Sequence, residues 1–199
     1  MKTYVATKNL GKLAEMRAIF ASSPLELETY SAYADVVEDG LDYTANARLK
    51  ARALRVQLLA AGIAGAVLAD DSGLEVTALG GRPGVLSARY AGADATWAVR
   101  RGRLLEELAV GAPADRSARF VCALVLLTAD GIESDARGEV SGTIVDRLRG
   151  ESGFGYDPLF VARGDTRTFA ELTDPEKNAV SHRGRAAAAL LASIAAPRA

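Results

Sequence analysis

The chain has 199 residues, 49% of them hydrophobic and 25% charged, the balance of an ordinary soluble globular protein of one domain, or one closely joined pair of lobes, over residues 1–199. At this length roughly 70% of the unfolded surface can be buried, so no staple is needed, and a single cysteine, Cys122, excludes an internal disulfide framework and a cysteine zinc site. A net charge of −1 argues against a nucleic-acid binder, and the lack of a signal-like start or a run of ~20 apolar residues argues against a membrane protein, which makes the cytoplasm the expected compartment.

Tyr4-Val5-Ala6 reads as a short strand, followed at once by a helix with Leu10, Leu13, Met16 and Phe20 at helical spacing. A second helix is expected from about Thr44 to Ala61. Its buried stripe is read as Leu49, Ala53, Val56 and Ala60, with Gly62 as its stop. Ala66-Val67-Leu68-Ala69 reads as a buried strand ending at two acids. Leu74 to Leu79 reads as the next strand, closed by the Gly80-Gly81-Arg82-Pro83-Gly84 turn. Asp94 or Thr96 can cap a helix reaching about Ala109.

Phe120 to Leu127 is apolar on both faces and is expected to be a central strand. Asp130-Gly131 marks a hairpin to a more polar partner, Ile132 to Val145. A glycine-rich loop and Pro158-Leu159-Phe160-Val161 follow. Thr173-Asp174-Pro175-Glu176 has the form of a helix start, and an alanine-rich helix is expected after Gly184. Strands alternating with helices, then pairing as hairpins, predict an α/β fold around a mixed sheet.

Five segments carry polar chemistry. Thr7-Lys8-Asn9-Leu10-Gly11-Lys12 lies between a strand and a helix, where backbone N–H groups attract phosphate. A lysine in a first helical turn opposes the helix dipole, so Lys12 calls for an anion. The spacing is not that of a P-loop, and a capped surface helix with solvated lysines describes the same residues. Glu38-Asp39-Gly40 precedes Asn46 and Lys50, which share one face of the second helix; a solvated helix edge is the plainer reading. The run Ala69-Asp70-Asp71-Ser72-Gly73 puts two acids at a strand end, costly unless a cation, a metal or hydrogen bonds compensate them. Adjacent strand residues face opposite ways, so at most one of the two should enter a given site. An Asp-Ser-Gly turn is the alternative.

In Ser152-Gly153-Phe154-Gly155-Tyr156-Asp157-Pro158, glycines flank a ring that can stack on a nucleobase or plug the core. Lys177 and Ser181-His182-Arg183-Gly184 gather donors around the only histidine, suited to a carbonyl-bearing base edge or a phosphate. Only five of the 24 Lys and Arg are lysines, namely Lys2, Lys8, Lys12, Lys50 and Lys177. Three of these fall in separate motifs, which hints at specific work.

Taken in order, these pieces resemble the inosine triphosphate pyrophosphatase family over nearly the whole chain. The carrying motifs are Thr7-x-Asn9-x-x-Lys12, Asn46-Ala47-x-x-Lys50-Ala51, Ala69 to Leu74, Ser87-Ala88-Arg89-Tyr90, Gly153 to Pro158 and Ser181 to Gly184. The resemblance implies an elongated mixed sheet with flanking helices on two lobes around a cleft, a homodimer, and Mg²⁺. It implies hydrolysis of ITP, dITP and XTP to the monophosphate and pyrophosphate. Thr7, Lys8, Asn9, Leu10, Gly11 and Lys12 would hold the triphosphate, with charge added by Lys50 and Lys177. Glu38 and Asp71 would bind the metal, and Asp71 would accept the proton from water. Ser72 would contact substrate. Phe154, Gly155, Tyr156 and Asp157 would hold the purine, and His182 and Arg183 would read its 6-oxo edge. One departure is Ala45, where the family usually has Glu before the asparagine. A Maf-like pyrophosphatase of other modified nucleotides and a nucleotide-binding module without turnover are the rival readings.

Overall fold

The computed structural model describes residues 1–110 and 115–196. Six strands form one mixed sheet in the order β2-β1-β3-β4-β5-β6: β1 is Lys2–Val5, β2 Glu26–Glu28, β3 Ala66–Val76, β4 Ser117–Leu127, β5 Glu133–Ile144 and β6 Phe160–Ala162. β1 pairs in parallel with β2 and β3, and β5 pairs antiparallel with β6. The helices are α1 (Leu10–Ile19), α2 (Tyr43–Ala60), α3 (Trp97–Ala109), α4 (Asp174–Val180) and α5 (His182–Ala195). The chain divides into two compact units. The first holds Met1–Asp71, Cys122–Gly138 and His182–Ala199, and the second holds Ser72–Val121 and Glu139–Ser181.

In the first unit, strand alternation sorts the core into two sets. Ala66, Leu68, Cys122, Leu124 and Leu126 pack with Met16 and Phe20 at α1 and with Ala186, Ala187 and Leu190 of α5. Val67, Ala69, Val125 and Leu127 pack with Ala47, Ala51, Leu54 and Leu58 of α2. In the second unit, Phe120, Phe160 and Phe169 cluster, with ring centroids 4.7 Å apart for the first pair and 5.0 Å for Phe160 with Phe169. Leu104 and Leu108 of α3 join that core.

Locally encoded features fall where expected. Thr96 caps α3, and Thr173 and Glu176 form the capping box of α4. Gly62 follows the end of α2 with φ 68°, a conformation glycine adopts without a side-chain clash.

Four expectations are corrected. Leu10 is not in the buried stripe of α1; it opens the helix and is 80% exposed. The stripe of α2 is rotated. Tyr43, Ala47, Ala51, Leu54 and Leu58 are buried together with Asn46 and Lys50, while Val56 is 66% exposed. The face that packs on the sheet is the Ala47, Ala51, Leu54 and Leu58 stripe, and Asn46 and Lys50 beside it are buried with partners inside. β3 does not stop at the acids but runs unbroken through Asp70-Asp71-Ser72-Gly73 to Val76, because cations from other elements compensate both carboxylates. Finally, α5 begins at His182, two residues before Gly184. The edge strand β2, a Glu-Leu-Glu segment, is an addition; its charges suit a sheet edge.

Candidate active site

Asp70 and Asp71 are neighbours on β3, so their side chains leave opposite faces of the strand and meet different helices. Asp70 shares its face with Cys122 and with α1 and α5. Its Oδ2 accepts from Nε and Nη2 of Arg183 at 3.2 and 3.1 Å and from the Cys122 thiol at 3.2 Å. The Lys12 ammonium sits 2.5 Å from its Oδ1. Arg183 also donates through Nη1 to Glu15, one helical turn beyond Lys12 on α1. The anion that Lys12 calls for is therefore a carboxylate of the chain itself. Burial alone would raise the Asp70 carboxyl, but Arg183, then Lys12 and Lys50, hold it far below the usual range. Asp70 is locked in its ionised form.

Asp71 faces α2. Asn46 Nδ2 donates to its Oδ2 at 3.2 Å, and Lys50 Nζ to its Oδ1 at 3.2 Å. The same ammonium donates to Glu38 Oε1 at 2.8 Å. Burial pushes the Asp71 carboxyl above the ordinary range against the pull of Lys50 and Lys12, and Glu38 and Asp70 add to the rise. The two adjacent aspartates are thus shifted in opposite directions, Asp70 down by its cations and Asp71 up by burial.

Glu38 and Asp71 converge on one cation, the Lys50 ammonium. Such a donor set suits Mg²⁺, which binds through one or two carboxylates and completes its shell with water and phosphate oxygens. No group of three His, Cys, Asp or Glu side chains able to hold a metal is found among the described residues, so the protein's share would be these two carboxylates.

The loop entering α1 is built as a helix start. Asn9 Oδ1 accepts from the Lys12 backbone N–H at 3.1 Å, and Thr7 Oγ1 from that of Asn9 at 3.1 Å. Lys8 is largely exposed and lies 3.5 Å from Asp35.

In the second unit, the Gly153–Pro158 loop is tied at both ends. Asp157 Oδ2 accepts from the Phe154 backbone N–H at 2.8 Å and from Lys177 Nζ at 2.5 Å. A Cβ on Gly153, where φ is 73°, would fall 2.2 Å from that oxygen, so a side chain is excluded there. The Lys177 ammonium also lies 5.1 Å from the Phe154 ring centroid. Lys177 is therefore grouped with the aromatic loop, and the first unit's charge cluster is made by Lys12 and Lys50. The Tyr156 ring is buried, edge-on to Trp97 at 5.4 Å, which leaves the half-buried Phe154 as the ring the loop presents.

The Ham1 family profile matches residues 3–193. The chain belongs to the Ham1 family. A dITP/XTP pyrophosphatase of Exiguobacterium sibiricum is 45% identical over 98% of this chain and 97% of its own length. One of Geobacter sulfurreducens is 46% identical over 94% of this chain and 92% of its own length. Among solved structures, a HAM1 protein from Coxiella burnetii superposes with a TM-score of 0.84 at 37% identity, covering 98% of both chains. The mixed α/β architecture of the Ham1 family is therefore shared along the whole chain. Ser72 follows Asp71 directly on β3, half-buried, and Gly155 packs against Trp97. His182 and Arg183 open α5, both buried. Sequence reasoning missed Glu15; its one signal was its place three residues after Lys12 on the same helix.

Proposed function

We infer that this Ham1 protein hydrolyses non-standard purine nucleoside triphosphates, ITP, dITP and XTP, to the nucleoside monophosphate and pyrophosphate. The observation that carries the reading is the divergent carboxylate pair on β3, Asp70 bound by Arg183 and Lys12 and Asp71 by Asn46 and Lys50, in a chain 45% identical to a dITP/XTP pyrophosphatase.

Asp71 takes the proton of the attacking water: its carboxylate is held by Asn46 and Lys50 on the face of β3 that also meets Glu38 through the Lys50 ammonium. Asp70 does not compete, because Arg183 and Lys12 keep it ionised. Lys50, released from Glu38 and Asp71, would bring positive charge to phosphate oxygens, where negative charge accumulates in the transition state, while Lys12 is held by Asp70. The N-terminus of α1, with Thr7 to Lys12, offers backbone donors to phosphate. Glu38 and Asp71 would hold Mg²⁺, which when bound neutralises phosphate oxygens. Phe154 supplies a stacking face for the purine, held in place through Asp157 and Lys177. The resemblance gives recognition of the 6-oxo group to the His182–Arg183 segment, where a 6-amino group would leave a donor unpaired; the Arg183 guanidinium itself is bound by Asp70 and Glu15. The resemblance also supports a homodimer.

The test is pyrophosphate release from ITP, dITP, XTP, GTP and ATP, with and without Mg²⁺. The first three should be used at least ~100-fold more efficiently than ATP, and only with the metal. Equal use of all five would overturn the substrate assignment.

A further inference from the structure

Asn46 has no assigned role in the reading above, yet it is fully buried and its amide is oriented without ambiguity. Oδ1 accepts the Gly40 backbone N–H at 2.8 Å. The other end of the amide is therefore Nδ2, and it points at Asp71 Oδ2 at 3.2 Å. One residue thus joins the loop that carries Glu38 to the strand that carries Asp71. Lys50, one turn further along α2, makes the same join with charge, touching Glu38 and Asp71 at once.

We propose that Asn46 is a positioning residue for the proton acceptor. Its amide bridges the Gly40 backbone and Asp71, and so holds Asp71 Oδ2 in the orientation that turnover needs. The proposal rests on the reading of Asp71 as the base.

The two rungs behave differently. Lys50 is an ammonium lying where a bound cation would compete with it, so its contacts to Glu38 and Asp71 are exchangeable. The Asn46 rung is neutral and lies on the other oxygen of Asp71, so such an exchange leaves it in place. The amide donates to one lone pair of Oδ2 and leaves the second to accept a proton. A donor aimed at a fixed carboxylate also removes the rotational freedom that would otherwise have to be lost during reaction. Gly40 is part of the device. A Cβ there would lie 2.7 Å from Asn46 Oδ1 and 2.9 Å from the Ala45 Cβ, so any side chain drives the amide off its position.

The two ends of the clamp can be cut separately. Asn46→Asp keeps the acceptor for Gly40 and removes the donor to Asp71. Gly40→Ala leaves Asn46 in the chain but crowds its amide; the atoms nearest the added Cβ belong to Asn46, side chain and backbone, and to Ala45. Each should lower kcat for ITP about 10–100-fold, the scale of one lost hydrogen bond to a charged group, with KM changed less than about 3-fold. Adding Gly40→Ala to Asn46→Ala should cost nothing further, because both act through one amide. Asp71→Asn is measured alongside. If Asp71→Asn is inactive while Asn46→Asp and Gly40→Ala keep normal kcat, or change only KM, the positioning role is wrong. If Asp71→Asn turns over normally, the base assignment fails instead. Gly40 lies in a partly exposed loop, so its variant answers the question even where a core substitution at Asn46 prevents folding.

Discussion

Replacing Arg183 with alanine separates two roles for one guanidinium. In this chain Arg183 is 1% exposed, and its Nε, Nη1 and Nη2 are shared between Asp70 and Glu15. Truncation takes the guanidinium away from two buried carboxylates and leaves the Lys12 ammonium on Asp70. Removing one partner of a buried ion pair costs about 3–5 kcal/mol. For a chain of this size each kcal/mol lowers Tm by about 2–4 °C, so a loss of ~4 kcal/mol means a drop of about 8–16 °C. Arg183→Lys keeps one charge but cannot span both carboxylates, and should fall between. Thermal unfolding followed by circular dichroism reads both variants. Kinetics reads the second role. If the guanidinium also reads the 6-oxo edge, Arg183→Ala lowers kcat/KM for ITP about 10–100-fold more than for ATP. If its work is confined to Asp70 and Glu15, both substrates fall by one factor. A Tm within ~3 °C of the parent would refute the buried-pair account altogether.

Four further outcomes follow from the geometry. Asp71→Asn should abolish turnover without loss of stability: its folded pKa is raised, so the ionised group opposes folding at neutral pH, a cost fully present above the folded pKa and absent only below the unfolded one. Asp70→Asn should instead lower stability by several °C in Tm, since a carboxyl held below its unfolded value stabilises at pH above ~4, and that contribution fades on acidification. Phe154→Ala should raise KM for all purine triphosphates alike, and Trp97, the single tryptophan, packed on Gly155 and Tyr156 beside that ring, should report nucleotide binding by a change in emission that this variant loses. Cys122 should resist alkylation at pH 8 until the protein unfolds, because burial first and Asp70 second push its thiol well above the ordinary range; fast labelling of the native protein contradicts this.

What was legible in the sequence is what is local. The caps Thr96 and Thr173, the Asp130-Gly131 hairpin and the buried strand around Cys122 each depend on a few adjacent residues. The break wrongly expected at Asp70-Asp71 shows the limit. A local rule ends a strand at two acids, but Arg183, 113 residues away, and Lys12 remove the penalty, and no spacing reveals that. The phase of α2 fails for a different reason: alanines and leucines lie on more than one side of the helix, and the stripe Ala47, Ala51, Leu54 and Leu58 that packs on the sheet is as apolar as the one expected. The site was legible as residue types in ordered motifs. Its division of labour, with Asp70 bound to α1 and α5 and Asp71 to α2, needed the pleat and the helices around it.

The most direct measurement is the identity of the products formed from ITP, resolved by phosphorus NMR over a full time course with Mg²⁺ present. IMP and pyrophosphate are expected in equal amounts from the first turnover, with no IDP at any time and none of either product from Asp71→Asn. Accumulation of IDP and orthophosphate would mean cleavage at the terminal phosphate, and would contradict a pyrophosphate-releasing hydrolase built around Asp71.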